Sequence, residues 1–219
     1  MDSSHVSLVT LSLRKEGFSH FRCDSNMTMG LKIGSVSRIL KCADGSDTIT
    51  LKAEEDGDTL SFVFENEKAD RISDFELKLI DLDADHLDIP EEECDATIRM
   101  PSGEFQRLCR DLNVLGDACS ISVTKEGVRF SVEGDDGKGS VTLRPNDSAD
   151  DKENIKIVMN QVIEQKFALR YLTMFTKATS LSSHVTLELA NDRPLKIEYE
   201  IEGLGSLCFY LAPKMDDEE

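Results

Sequence analysis

The chain has 219 residues and a formal net charge of −18, from 25 basic and 43 acidic side chains. This length suits one large domain or two small ones, and 39% hydrophobic residues can build a core, which excludes wholesale disorder. No apolar run is long enough to span a bilayer, and the N-terminus lacks a signal-peptide pattern. The six cysteines include no CxxC pair, which argues against a disulfide framework or zinc site and favours reduced intracellular thiols.

Most of the chain consists of short runs in which apolar and polar residues alternate. In chain order these runs are residues 4–14, 47–55, 58–66, 71–79, 96–100, 118–125, 127–134, 139–144, 154–159, 184–191, 195–202 and 206–212. Alternation such as Ile49/Leu51 predicts antiparallel strands that pack one face on a core. The apolar parity changes at Val9 in the first run, which predicts either a β-bulge or a stretch buried on both faces.

Three segments show the apolar spacing of amphipathic helices instead. Ser35 is a candidate N-cap for residues 35–43, and Ser102 is a candidate N-cap for residues 102–116. A third helix is predicted over residues 167–178. A few helices among many antiparallel strands indicate the α+β class.

The order helix–strand–strand–strand occurs twice in the sequence. Ile49 matches Val185 in this alignment, and Val6 matches Val141 upstream. The second unit begins near Ala96 with a strand–helix–strand segment of about 40 residues that has no partner in the first unit. We therefore expect either a naturally short first unit or a chain that starts late.

The repeat and the local composition predict the domain organisation. A shortened N-terminal domain is expected over residues 1–78 and a C-terminal domain over residues 96–214. Between them, residues 79–95 carry eight acidic residues and no Lys or Arg, which is typical of a solvated connector. Residues 215–219 form an acidic tail.

Basic residues are concentrated on the predicted helices although the protein is acidic. The pairs that fall outside the apolar stripes are Arg38 with Lys41, Arg107 with Arg110, and Arg170 with Lys177. Each pair alone fits an ordinary solvated helix surface. Their recurrence on three helices favours a common basic surface, which would contact phosphates without reading bases.

Several blocks together resemble one known family. The blocks MDSSHVSL, S.ILKCA, MPSGEF..LCRDL, KEGV.FS, FALRYL..FTKAT.LS and YLAPK are similar to those of the proliferating cell nuclear antigen family, the eukaryotic DNA sliding clamps. The resemblance extends over all 219 residues. The family's first strand, first helix and second strand have no match, so about 40 N-terminal residues are expected to be missing, in agreement with the repeat.

The resemblance implies a DNA-clamp fold, in which two similar domains carry antiparallel sheets outside and helices on the inner face. Three such subunits form a homotrimeric ring around double-stranded DNA, which is held by topology and not by sequence. The implied function is a nuclear processivity factor for DNA polymerase and a docking platform in replication and repair, including leading-strand elongation, translesion synthesis and mismatch repair. On this basis the six basic helix residues named above line the hole.

The resemblance also implies a pocket in which DNA polymerases, the clamp loader and other proteins dock a short peptide. The matching positions are Met1, His5, Val6, Leu8, Leu87, Ile89, Pro90, Pro194, Tyr210, Leu211 and Ala212. An exposed apolar patch with a polar rim suits such a peptide. For Val6, Leu8 and Leu211, plain core packing is the alternative from the residues alone. Cys94 stands where the family usually has an aromatic residue.

Two further features follow from the resemblance. Ring closure is expected to pair residues 69–78 of one subunit with residues 136–144 of the next. Lys125 matches the family lysine that accepts ubiquitin or a related modifier through an isopeptide bond, although an exposed lysine in a turn is an equally simple interpretation.

Enzymatic motifs are absent from the sequence. The aspartates at 81, 83 and 85 lack the glycine turn and terminal glutamate of a calcium loop, and no GxSxG, HExxH or phosphate-loop pattern occurs. We therefore expect no catalysis, no metal, no cofactor and no membrane partner. The alternative function is a truncated clamp relative that does not close a ring and acts as an interaction or regulatory module, or an incomplete gene model.

Overall fold

The computed structural model describes residues 4–81, 93–146, 153–191 and 193–214. The strands are β1 Ser7–Leu13, β2 Thr48–Ala53, β3 Thr59–Asn66, β4 Arg71–Lys78, β5 Ala96–Pro101, β6 Ala118–Thr124, β7 Gly127–Gly134, β8 Gly137–Leu143, β9 Lys156–Met159, β10 Ile163–Ala168, β11 His184–Leu189, β12 Leu195–Ile201 and β13 Gly205–Leu211. The α-helices are α1 Ile33–Leu40, α2 Ser102–Leu112 and α3 Leu169–Phe175, and a 3₁₀ segment, Thr176–Leu181, follows α3. All strand pairs are antiparallel, as the alternation predicts.

The chain divides into two compact units. The small unit contains residues 22–90, and the large unit contains residues 1–21 and 91–219. Strand β1 thus packs with the large unit, because its backbone pairs with β13. The predicted boundaries at residues 78 and 96 stay a prediction. Within the described ranges, no helix is long and apolar enough to cross a membrane.

In the small unit, α1 packs on a three-stranded sheet of order β2-β3-β4. The centre of its apolar cluster comes from β3, where Phe62 and Phe64 are buried. Val36 and Ile39 pack against this cluster, as the helical stripe predicts. The predicted N-cap role of Ser35 is wrong, because α1 begins at Ile33 and Ser35 lies inside it. The amide of Ser35 already donates to the carbonyl oxygen of Lys32, the residue before the helix.

In its described residues, the large unit contains two sheets and two α-helices around one apolar core. The six-stranded sheet has the order β1-β13-β12-β11-β5-β9, and the four-stranded sheet has the order β10-β6-β7-β8. Phe105 of α2 and Leu172 of α3 are buried in this core together with residues of both sheets. The ring of Phe175 stacks on Phe209 with centroids 4.5 Å apart, which joins α3 to β13.

The third predicted helix begins later than the sequence pattern indicates. Phe167 belongs to β10, which pairs with β6 from Ile163 opposite Val123 to Ala168 opposite Ala118. This strand was not predicted, because Phe167 fits a helical stripe as well as a buried strand position. Ser102 does not cap α2 either, since its hydroxyl donates to carbonyls at the end of the 3₁₀ segment.

Strand β1 contains neither the bulge nor the doubly buried stretch predicted at Val9. Its register with β13 is continuous from Ser7 opposite Leu211 to Leu13 opposite Gly205. Val9 and Leu11 are half exposed, because β1 is the outermost strand of its sheet and its apolar face extends beyond the core.

The sequence repeat corresponds to a repeated arrangement of elements. Helix α1 precedes the meander β2-β3-β4, and α3 precedes the meander β11-β12-β13. Aligning Val6 with Val141 places the start of β1 at the end of β8, so β8 is the strand of the second unit that lies nearest to β1 in the repeat, and β13 closes its meander as β4 closes the other.

Candidate functional site

The basic residues of α2, α3 and the 3₁₀ segment that follows α3 lie on the exposed side of these elements. Both helices bury their other side in the same core, so their exposed sides belong to one surface of the large unit. Gln106 joins the two segments by donating from Nε2 to the carbonyl oxygen of Thr176 at 3.2 Å. The exposed cations of this surface, here called the basic face, are Arg107, Arg110, Arg170 and Lys177.

One carboxylate that sequence reasoning missed moderates the charge of the basic face. Asp111 lies 3.6 Å from Nε of Arg107 and 3.0 Å from a terminal nitrogen of Arg110. These pairs are exposed, so each contributes about 1 kcal/mol or less to stability. The i, i+4 spacing from Arg107 to Asp111 is the signal that predicts the first pair. The guanidinium of Arg170 lies 4.9 Å from the ring centre of Tyr171, within the range of a cation–π contact.

The small unit carries the other two predicted cations. Arg38 and Lys41 are exposed at the C-terminal end of α1, and Arg38 donates to the hydroxyl of Ser35 at 3.1 Å. Cations at this end of a helix are also favoured by its dipole.

A buried carboxylate anchors the turn that joins α1 to β2. The side chain of Asp47 is only 1% exposed and accepts hydrogen bonds from the amide of Asp44 at 2.9 Å and from Asn66 at 2.7 Å. Arg71 of β4 donates to it at 3.1 Å. The amide of Asp44, then Asn66 and Arg71, hold the pKa of Asp47 below its ordinary value. This network fixes the end of α1 against the sheet, and no sequence spacing pointed to it.

The pairing of β1 with β13 brings the described residues of the predicted peptide pocket together. Leu8 stands opposite Tyr210, so their half-buried side chains share the outer face of the sheet. The amide of Ala212 donates to the carbonyl oxygen of Val6 at 2.9 Å, which continues the pairing. Leu211 is fully buried in the core on the opposite side, as the alternative of core packing predicts. Val6 is half-buried and also packs against that core.

The remaining pocket positions lie at one end of this strand pair or outside the described residues. His5 is exposed just before β1, with a left-handed φ of 56°. Pro194 is exposed just before β12, where Leu195 stands opposite Leu211. Cys94 is half-buried, with its sulfur 3.0 Å from the hydroxyl of Thr97. The predicted positions Met1, Leu87, Ile89 and Pro90 fall outside the described ranges.

An ion network lies beside Tyr210 on the same outer face. Lys196, which stands opposite Tyr210, contacts Glu198 at 2.9 Å and Glu188 at 3.3 Å. Partial burial alone lowers the pKa of Lys196, but the two carboxylates outweigh it, and the net effect is a raised pKa. Lys196 is therefore a permanent cation that forms a polar rim for the apolar patch.

The two strands expected from the resemblance to take part in ring closure lie at sheet edges. Strand β4 ends the three-stranded sheet, and β8 ends the four-stranded sheet. Both edge strands carry apolar side chains that are half-buried, for example Phe75 on β4 and Val141 on β8. Ile72 of β4 is 71% exposed. Edge strands of this kind offer unpaired backbone groups to another chain.

Lys125 occupies the turn between β6 and β7 and is exposed, as both interpretations of it require. Its modification stays a prediction. In the parts of the chain that the structure describes, no group of three metal-binding side chains is close enough to hold an ion. All six cysteines are free, and burial raises the pKa of the Cys119 thiol to about 12.

Comparison with protein families gives two matches that together span most of the sequence. The model of the C-terminal domain of proliferating cell nuclear antigen matches residues 88–214. The model of the N-terminal domain of the same protein matches residues 1–87. The two matches meet inside the segment that the sequence predicts as the connector.

The Asp47 network makes the small unit sensitive to acid. Because folding lowers the pKa of Asp47, its contribution to the free energy of unfolding is complete above the unfolded pKa of about 4 and is lost as the pH falls through the folded value. In urea titrations followed by circular dichroism from about pH 7 to pH 3, Asp47→Asn should flatten this pH dependence. The exposed carboxylate Asp56, changed to Asn, is the control. Equal pH profiles for the wild type and Asp47→Asn would contradict the assignment.

Proposed function

Because the chain belongs to the proliferating cell nuclear antigen family of DNA sliding clamps, we propose that it is a subunit of a homotrimeric ring that encircles DNA. In the nucleus this ring serves DNA polymerases as a processivity factor and other replication and repair proteins as a docking platform. The observation that carries the proposal is the pairing of β1 with β13 together with the open edges of their counterparts, β8 and β4.

The repeat supplies the geometry of ring closure. Within one chain, the strand that closes the second meander pairs with a strand that precedes the first. The same pairing between chains joins β4 of one subunit to β8 of the next. This contact is head-to-tail, and such a contact forms a ring when the rotation closes. It also completes the burial of half-buried side chains such as Phe75 and Val141.

The open edge of β4 can be tested by comparing two exposed residues in one row of the outer face of the sheet, both beside Glu65 of β3. Ile72→Asp places a charge on β4, whereas Thr48→Asp places the same charge on β2 at the opposite edge. Light scattering should give the wild type the molar mass of three chains of 24.4 kDa each. Burying a charge in place of isoleucine costs about 2 kcal/mol or more per interface, so Ile72→Asp should dissociate at micromolar concentration.

The control Thr48→Asp should stay trimeric. A wild-type chain that is monomeric under the same conditions would contradict ring formation and favour the alternative of an interaction module. Equal masses for the two variants would show that β4 is not the assembly edge.

The basic face supports contact with DNA phosphates. Its cations are exposed, and Asp111 already contacts two of them, so each phosphate contact is weak. Weak contacts suit a ring that slides, because retention then comes from topology. The net charge of −18 disfavours adhesion of DNA to the rest of the surface. Phosphate contacts of this kind carry no sequence information.

Charge reversal on the basic face should weaken the attraction to DNA that the ring encircles. For the double variant Arg170→Glu, Lys177→Glu, we expect faster loss from loaded nicked circles and a salt slope reduced by about 1 for each phosphate that is no longer neutralised. Lys156→Glu, on the outer side of β9, is the control and should behave as the wild type. Equal retention of the wild type on linear and circular DNA would contradict topological binding.

We also assign peptide docking to the outer face of β1 and β13. Leu8 and Tyr210 provide an accessible apolar patch. Lys196 with its carboxylates forms a polar rim. Around one end of the patch lie Val6, Ala212, Pro194 and His5. An aromatic side chain of a bound peptide would cover this patch, which is the arrangement of a binding hot spot.

The patch can be tested with two substitutions on the same face of one sheet. Leu8→Asp should weaken binding of a clamp-binding peptide from a polymerase by about tenfold or more, because it removes an apolar contact of hot-spot size. Val158→Asp changes an exposed apolar residue on β9, at the far edge of the sheet, and should leave the affinity unchanged. Fluorescence polarisation of the labelled peptide measures both, and equal affinities would contradict the assignment.

A further inference from the structure

The outer face of the four-stranded sheet contains a groove that neither DNA contact nor peptide docking uses. Its volume is about 770 Å³, which lies within the range of pockets that bind a small ligand. The opposite face of the same sheet packs on the core. The long charged side chains around the groove are Arg129, Glu133, Lys138, Glu164, Lys166 and Lys214.

Strand register explains why the groove forms. Ser120 of β6 stands opposite Ser131 of β7, which stands opposite Ser140 of β8, so one row across the sheet has only short side chains. The same row ends at Lys166 on β10. Small side chains therefore form the floor, and long charged ones form the rim.

The position of Lys214 is fixed by the chain that leaves β13. Its amide donates to the carbonyl oxygen of Lys166 at 2.7 Å, which holds residue 214 beside β10. Pro213 also lines the groove there. Lys214 thus forms part of the β10 side of the rim, opposite the β8 side that carries Lys138.

The charge of the groove is opposite to that of the chain. Among the described residues, its rim has four cations and two carboxylates, in a protein of net charge −18. One of these carboxylates, Glu164, accepts a hydrogen bond from Ser120 at 2.7 Å. Arg129 is exposed and is positioned by donation to the hydroxyl of Ser140 at 3.2 Å. The groove therefore offers charged and hydroxyl donors to a carboxylate ligand.

We propose that this groove binds a short acidic peptide segment of a partner protein. Aspartate or glutamate side chains pair with Arg129, Lys166 and Lys214, while the hydroxyls of Ser131 and Ser140 in the floor donate to the peptide backbone. A peptide with a few carboxylates responds to the local cations. A nucleic acid is an extended polyanion and responds also to the negative field of the whole chain, which disfavours it.

The site does not depend on ring closure. Pairing of β8 with another chain uses the edge of the strand, whereas the groove lies on the outer face of the sheet. Only Lys138 and Ser140 among the groove residues named above belong to β8. Arg129, Lys166 and Lys214 lie on β7, on β10 and after β13.

The test uses the full chain and a fluorescein-labelled peptide of alternating Asp and Glu residues. The double variant Arg129→Glu, Lys214→Glu should lower its affinity about tenfold or more. The matched control, Lys52→Glu with Lys156→Glu, makes the same charge change on strands outside the groove and should lower it less than about twofold. Binding should weaken as salt rises from about 50 to about 200 mM.

A single substitution provides a test in the opposite direction. Glu133→Gln removes one rim carboxylate and should raise the affinity about two- to threefold, which a misfolded variant cannot do. Equal losses in the two double variants would overturn the proposal, because binding would then follow net charge. Tighter binding of a labelled single-stranded oligonucleotide of equal charge would also overturn it and assign the groove to nucleic acid.

Discussion

The antiparallel ladder between β1 and β13 is the interaction on which the rest of the structure depends. It lets a strand of the first sequence repeat complete the sheet of the second, without a bulge or register change. The ladder sets Leu8 beside Tyr210 and so builds the candidate docking face. Because its counterparts β4 and β8 lie at sheet edges, the same pairing between chains is available for assembly.

The electrostatics of the molecule follow from where its few cations are placed. Helices α2 and α3 concentrate exposed cations on one surface of the large unit, whereas the chain as a whole is strongly acidic. Asp111 reduces the strength of that surface. The second concentration of cations is the groove on the four-stranded sheet, where Arg129 and Lys214 surround a floor of serines. Two anionic ligands of different size can therefore be attracted to two different surfaces of an acidic protein.

Buried or half-buried polar networks hold these surfaces in place. Asp47 ties the end of α1 to the neighbouring sheet through Asn66 and Arg71. Lys196 is held by Glu188 and Glu198 next to the apolar patch. Neither network was predicted as a whole, because Asn66 and Arg71 reach Asp47, and Glu188 reaches Lys196, only once strand register is set. The basic residues of the helices were predicted, since their spacing relative to the apolar stripe is a local property.

The sequence by itself determined the repeat, the α+β class and nearly all the strands, because alternation such as Ile49/Leu51 depends only on neighbouring residues. Tertiary structure alone decided the rest. Phe167 fits a helix or a strand locally, and its pairing opposite Cys119 on β6 assigns it to β10. Ser102 has the sequence of a helix cap, but the carbonyl it bonds belongs to Ser182, far along the chain. Pairing partners of this kind are set by packing between distant segments, about which local periodicity carries no information.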